Sequence, residues 1–130
     1  MPTTWKPENY NSVSVYIVAD NAQGVIDFLK KTFDANDLRR FGAPDGKIMH
    51  AEVRIGDTVV MIADAGGAYP AFPVWIHVYV PDSQATYKKA LATGGVSVQE
   101  PVHKPGDPDL RGGVKDPWGN TWWISTQLSS

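Results

Sequence analysis

The chain has 130 residues, 42% hydrophobic and 20% charged, with a formal net charge of −2 and no Lys/Arg run, so it can build a real core but offers no basic stripe for nucleic acid. It has no cysteine, which excludes disulfides, thiolate nucleophiles and cysteine-ligated zinc or iron–sulfur sites. No apolar run approaches the roughly 20 residues that span a bilayer, and the opening Met-Pro-Thr-Thr-Trp-Lys-Pro lacks the apolar stretch of a signal peptide; the expectation is a cytoplasmic single domain over 1–130, with no membrane and no nucleic-acid partner.

The first run, Val-Ser-Val-Tyr-Ile-Val over 13–18, is β-branched and aromatic and predicts a strand. Asp20 or Asn21 can cap the next segment, in which Ala22, Val25, Ile26, Leu29 and Phe33 recur at spacings of three and four. That spacing predicts an amphipathic helix over 22–33. A short strand is expected over 38–41, then the turn Ala43-Pro44-Asp45-Gly46. A strand over 47–55, the tight turn Gly56-Asp57 and a strand over 58–63 complete a first module, 11–64. Residues 65–73, rich in Gly, Ala and Pro, read as a linker.

The pattern then restarts over 74–126. A strand is predicted over 74–80, a cap at Asp82, and a helix over 84–93 that stops at Gly94-Gly95. A short strand over 96–98 precedes a Pro- and Gly-rich loop over 99–111, which at thirteen residues has the length of a lid. The chain closes on a hairpin whose turn is Asp116-Pro117-Trp118-Gly119-Asn120 and whose last strand carries Trp122 and Trp123. Adjacent strand residues face opposite ways, so one tryptophan should meet the helices and the other whatever lies across the sheet. The halves also match residue by residue. Val15-Tyr16-Ile17 corresponds to Val78-Tyr79-Val80, and Gly56-Asp57-Thr58 to Gly119-Asn120-Thr121, both at a spacing of 63.

A tandem β-α-β-β-β repeat ending in D-P-x-G-x-x-x-x-I resembles the vicinal oxygen chelate superfamily, which includes glyoxalase I, extradiol dioxygenases and the bleomycin-binding proteins. The phrases over 44–64 and 111–126 look like its PhnB-like branch. The resemblance implies an α+β fold of two cupped half-barrel sheets enclosing a pocket, and a homodimer that often completes each pocket from two chains. It also implies four metal-ligand positions, one on the first and one on the last strand of each module. Carried onto this chain they fall on Val13, Met61, Trp75 and Trp123. These side chains cannot replace the His and Glu of the metal-dependent members, so neither a metal nor another cofactor is expected.

With Val13, Met61, Trp75 and Trp123 at those positions, the cavity would be apolar and flat-walled, suited to a planar, aromatic or amphipathic small molecule. His77, two residues from Trp75, shares its strand face, and Arg111 could clamp an anionic group of the ligand. The alternative is an enzyme of lyase or dioxygenase type. It would use a displaced metal or a general base drawn from His50, Glu52 and His77, where His50 and Glu52 share one strand face. Against that stands the plain reading of two half-buried strand histidines bonded to backbone or to Glu52. Tyr69, Phe72 and Trp75, around the linker, could line a pocket mouth or a dimer interface.

Overall fold

A computed structural model describes residues 4–129; residues 1–3 and 130, the ends of the expected single domain, lie outside the described residues. The element order is β1 (Tyr16–Ala19), α1 (Ala22–Phe33), β2 (Asn36–Gly42), β3 (Ile48–Ile55), β4 (Thr58–Asp64), β5 (Trp75–Tyr79), α2 (Ser83–Ala92), β6 (Val96–Val102), β7 (Asp109–Lys115) and β8 (Thr121–Gln127). The strands form two four-stranded sheets of identical plan, β1-β4-β3-β2 and β5-β8-β7-β6, each with one parallel pair and two antiparallel pairs. The α+β architecture of two β-α-β-β-β units is therefore as the sequence predicts.

Local chemistry sets the ends of these elements. The Asn21 side chain accepts from Gly24 N, taking up one of the free N–H groups at the start of α1. Asp34 closes the helix in the left-handed region, with φ at 55°. Asp64, at the end of β4, accepts from Ala22 N and Ile48 N and so ties the helix start to β3. α2 is capped by Asp82, whose side chain accepts from Ala85 N.

Two expectations need correction. The first strand begins at Tyr16, not Val13. The Asn11 side chain takes the Val59 N–H and also reaches Val13 O and Ser14 Oγ, and the parallel ladder opens only with Met61 N donating to Val15 O. Nor is 99–111 a thirteen-residue lid. β6 runs on to Val102 and β7 begins at Asp109, which leaves a loop of 103–108. Pro101 hides this strand from composition, but β6 is the edge of its sheet, where a residue without an N–H is tolerated and the register shifts around it. The glycines of β7 are there for closeness. A Cβ on Gly113 would come within 2.6 Å of the Trp123 ring, which lies over it.

α1 covers one face of the first sheet, α2 covers one face of the second, and the helices touch. One core cluster joins the halves, in which Phe33 of α1 packs on Trp122 of β8 with ring centroids 5.1 Å apart. Trp122 is fully buried there while Trp123 faces the other way. The opposite face of each sheet carries no helix and is open.

Candidate functional site

On the open face of the second sheet, alternation brings Trp75, His77 and Tyr79 out from β5, Trp123 and Ser125 from β8, and Arg111 from β7. The Trp75 and Trp123 rings meet edge to face, centroids 5.4 Å apart, beside a hollow of about 380 Å³ that His77, Gln99, Lys104 and Arg111 also line. Trp75 leaves 76% of its surface exposed. The Trp123 indole N–H is buried without a hydrogen-bond partner among the described residues. His77 Nε2 lies 3.0 Å from Ser125 Oγ, and its ring stacks edge-on to Tyr79 at 4.7 Å. Burial, helped by the charge of Arg111, lowers the His77 pKa, so the imidazole is held neutral.

Arg111 is not a free clamp. Its guanidinium donates to Ser125 Oγ at 3.0 Å, to Asp107 Oδ2 at 3.0 Å and to Asp109 Oδ2 at 3.1 Å, while Tyr79 donates to the same Asp109 oxygen at 2.7 Å. Two carboxylates already balance its charge. Its work here is to hold Asp107, Asp109 and Ser125 together beneath the hollow.

The open face of the first sheet carries a different network. His50 and Glu52 stand two apart on β3, and Tyr16 and Met61 are register partners on β1 and β4. His50 Nε2 lies 2.9 Å from Glu52 Oε2, and the Tyr16 hydroxyl lies 2.8 Å from His50 Nδ1. Arg39 of β2 donates to both Glu52 oxygens, at 3.0 and 3.1 Å, and Tyr10 donates to Oε1 at 2.5 Å. Burial alone would raise the Glu52 pKa. The hydrogen bonds from Arg39, Tyr10 and His50 outweigh it and bring the value down to about 2, so the buried carboxylate stays ionised. Beyond Tyr16 opens a hollow of about 820 Å³, lined by Val18, Met49, Ala63, Tyr69 and Phe72 among others.

Of the residues the sequence singles out, the fold thus gathers Trp75, His77, Arg111 and Trp123 on one sheet. It places Met61 with His50 and Glu52 on the other. Val13, 85% exposed ahead of β1, lines neither hollow. The expected triad of His50, Glu52 and His77 is not assembled within the chain, because His77 belongs to the other sheet. Among the described residues no group of three or more His, Asp or Glu is placed to hold a metal. The residues that sequence reasoning passed over are Tyr16, Arg39, Tyr10, Asp109 and Ser125. A signal existed for the first: Tyr16 and Tyr79 occupy the same place in the repeat, 63 residues apart.

A model of the Glyoxalase/Bleomycin resistance protein/Dioxygenase superfamily matches residues 11–124, almost the whole chain. The chain belongs to this superfamily. It is 36% identical over 122 residues to an uncharacterized protein of Mycobacterium bovis, covering 85% of this chain and 80% of that one. Among solved structures, TioX from Micromonospora sp. ML1 superposes with a TM-score of 0.77 at 24% identity, covering 91% of this chain and 99% of TioX. TnmS3, an antibiotic binding protein from Streptomyces sp. CB03234, superposes with a TM-score of 0.65 at 16% identity, covering 90% and 97%. At such identities the structures speak for the fold alone. The metal of the superfamily's metal-dependent members does not fit this chain's residues. Val13, Met61, Trp75 and Trp123, at the positions the resemblance assigns, offer one thioether and no imidazole or carboxylate.

Proposed function

We propose that this chain is a metal-free small-molecule-binding protein of the glyoxalase/bleomycin-resistance type. Its ligand is planar or amphipathic and aromatic, and it lies between the open faces of two chains in a homodimer. The observation that carries this reading is the Trp75–Trp123 pair, a stacking wall left open at the mouth of a hollow. Burying such surface against an aromatic ligand is favourable, whereas leaving it in water is not. If the first sheet of one chain faces the second sheet of the other, Met61 and Val13 join Trp75, His77, Arg111 and Trp123 around one cavity. That arrangement gives the exposed Val13 something to cover. The antibiotic-binding description of one structural relative supports a small-molecule ligand. The phrases over 44–64 and 111–126 support a place in the PhnB-like branch. A cytoplasmic location belongs to the same reading, and no described helix is long and apolar enough to cross a membrane.

The test is a titration of intrinsic tryptophan fluorescence with planar aromatic compounds, alongside elemental analysis after exposure to Zn²⁺, Ni²⁺ and Fe²⁺. The expected result is saturable quenching with less than roughly a tenth of a metal per chain, and affinity weakened roughly five- to tenfold by Trp75→Ala or Trp123→Ala. Stoichiometric metal removed by His77→Ala would replace this reading with the enzyme alternative.

A further inference from the structure

We propose that Tyr16, His50 and Glu52 form a proton relay on the open face of the first sheet, positioned to accept the proton of an acidic hydroxyl on a bound ligand. The relay rests on the small-molecule-binding reading, since it acts on a molecule held between the open faces.

The hydrogen-bond geometry assigns each proton. An ionised carboxylate only accepts, so at 2.9 Å from Glu52 Oε2 the His50 Nε2 must carry hydrogen. In the neutral ring Nδ1 is then a bare lone pair, and at 2.8 Å it accepts the Tyr16 O–H. The Tyr16 oxygen, its own proton turned inward, presents lone pairs to the open side, where 41% of the residue is exposed. Glu52 has only 2% of its surface exposed and is locked by Arg39 and Tyr10, so it cannot leave the ring. This is the orienting role a buried carboxylate plays behind a histidine base, with a phenol in the outermost place.

The step balances without any further reagent. The ligand O–H bond breaks and its proton passes to the Tyr16 oxygen while the Tyr16 proton passes to His50 Nδ1. The electron pair stays on the ligand oxygen. The products are a ligand oxyanion, an unchanged phenol and an imidazolium held against Glu52. Tyr16 never needs to become a phenolate, which suits its surroundings. Burial, and after it the charge of Glu52 and the proximity of Tyr69, raise its pKa. The other groups facing the relay are Arg39 and Tyr10, with Arg54 over the Tyr10 ring and the Phe41 ring 6.1 Å from His50, while Asp45, Lys47, Asp64 and Tyr69 line the hollow with Tyr16. The 820 Å³ hollow beside Tyr16 gives an aromatic ligand room to bring a hydroxyl up to it.

The repeat supplies a comparison within the same molecule. Tyr79, in the equivalent place on the second sheet, donates directly to Asp109, and His77 faces Ser125. The fold therefore closes its second sheet with no histidine between tyrosine and carboxylate, and packing alone does not demand the arrangement on the first.

The probe is para-nitrophenol, whose ionisation is visible in its absorbance, with para-nitroanisole as the same ring without an acidic proton. The full-length chain is mixed with each at a pH where free para-nitrophenol is mostly protonated. The expected result is that bound para-nitrophenol ionises about tenfold more readily than free, a fall of about one unit in its apparent pKa. Tyr16→Phe and His50→Gln should still quench with para-nitroanisole yet lose that shift. An unshifted spectrum in the bound wild type, or the same shift in Tyr16→Phe, overturns the relay. So does binding of para-nitroanisole without para-nitrophenol, which leaves the binding reading standing. Failure of every planar probe to bind overturns the binding reading and the relay with it. Nitrogen-15 NMR of His50 needs no ligand. It should show Nε2 protonated and Nδ1 bare, with Nδ1 moving in Tyr16→Phe, and the opposite tautomer refutes the relay.

Discussion

Glu52 keeps only 2% of its surface in contact with solvent and is paired on every side, with Arg39, Tyr10 and His50 all reaching it. Glu52→Gln would turn an amide N–H toward groups that are themselves donors and leave Arg39 without its partner. Arg39 is itself about half exposed, so water takes up part of the loss, and the expected cost is about 2 kcal/mol, on the order of 5–10 °C in melting temperature by differential scanning calorimetry. The pH dependence has a definite sign. The folded carboxyl titrates at about 2, below its ordinary 4.5, so the unfolded chain binds more protons between those values. Stability contributed by Glu52 is therefore full above pH 4.5 and lost as the pH falls toward 2, a slope that Glu52→Gln should lack. His77 behaves in the same direction in a higher window. Its pKa is lowered by burial and by Arg111, so protonation is resisted in the folded state, and the protein should lose stability as the pH drops below 6.5. His77→Phe should flatten that loss in urea titrations between pH 7 and 5, and an unchanged slope would show that His77 is free to charge. At this scale the sequence was a partial guide. It marked His50, Glu52 and His77 as chemically notable, but nothing in the spacing shows that a β2 arginine and the segment before β1 converge on Glu52.

The turn between β7 and β8 shows how far an element can be read from its residues. Asp-Pro-Trp-Gly-Asn declares a turn, and Gly119 does adopt φ 90°. What the motif conceals is its single buried organiser. Asp116 accepts from Trp118 N, Asn120 N, Asn120 Nδ2 and Trp122 Nε1, each at about 3 Å. Through Trp122 this one carboxylate connects the turn to the shared core, and Asn120 carries it onward to Val74 N, just ahead of β5. Asp116→Ala strands these donors out of water, and the expected cost is about 3 kcal/mol, with loss of near-ultraviolet tryptophan ellipticity before any loss of helix signal. A destabilisation under 1 kcal/mol by denaturant titration would refute that role. Elements with strong periodicity, such as α1, were legible to the residue. β6 was not, because Pro101 reads as loop while the edge position makes it a strand residue.

At the scale of the molecule, the sequence foretold two like sheets but could not say which of their faces would be spent on each other. The helix-covered sides meet through Phe33 and Trp122, and so Trp75, Tyr79 and Met49 are all left more than half exposed on the open sides. Two open, partly apolar faces on one small chain are a liability in water unless a second copy covers them, and two identical chains can do so by a twofold arrangement that closes both cavities at once. The protein should therefore sediment at twice 14.2 kDa at micromolar concentration. Trp75→Glu is the sharpest perturbation, because Trp75 lies outside the core cluster and leaves 76% of its surface exposed. The variant should keep the far-ultraviolet circular dichroism of the parent and sediment as a monomer, with its ligand quenching lost at the same time. If it stays dimeric yet loses quenching, the open faces bind ligand but do not associate. If the parent itself sediments at 14.2 kDa, both hollows belong to a single chain and the shared cavity is wrong.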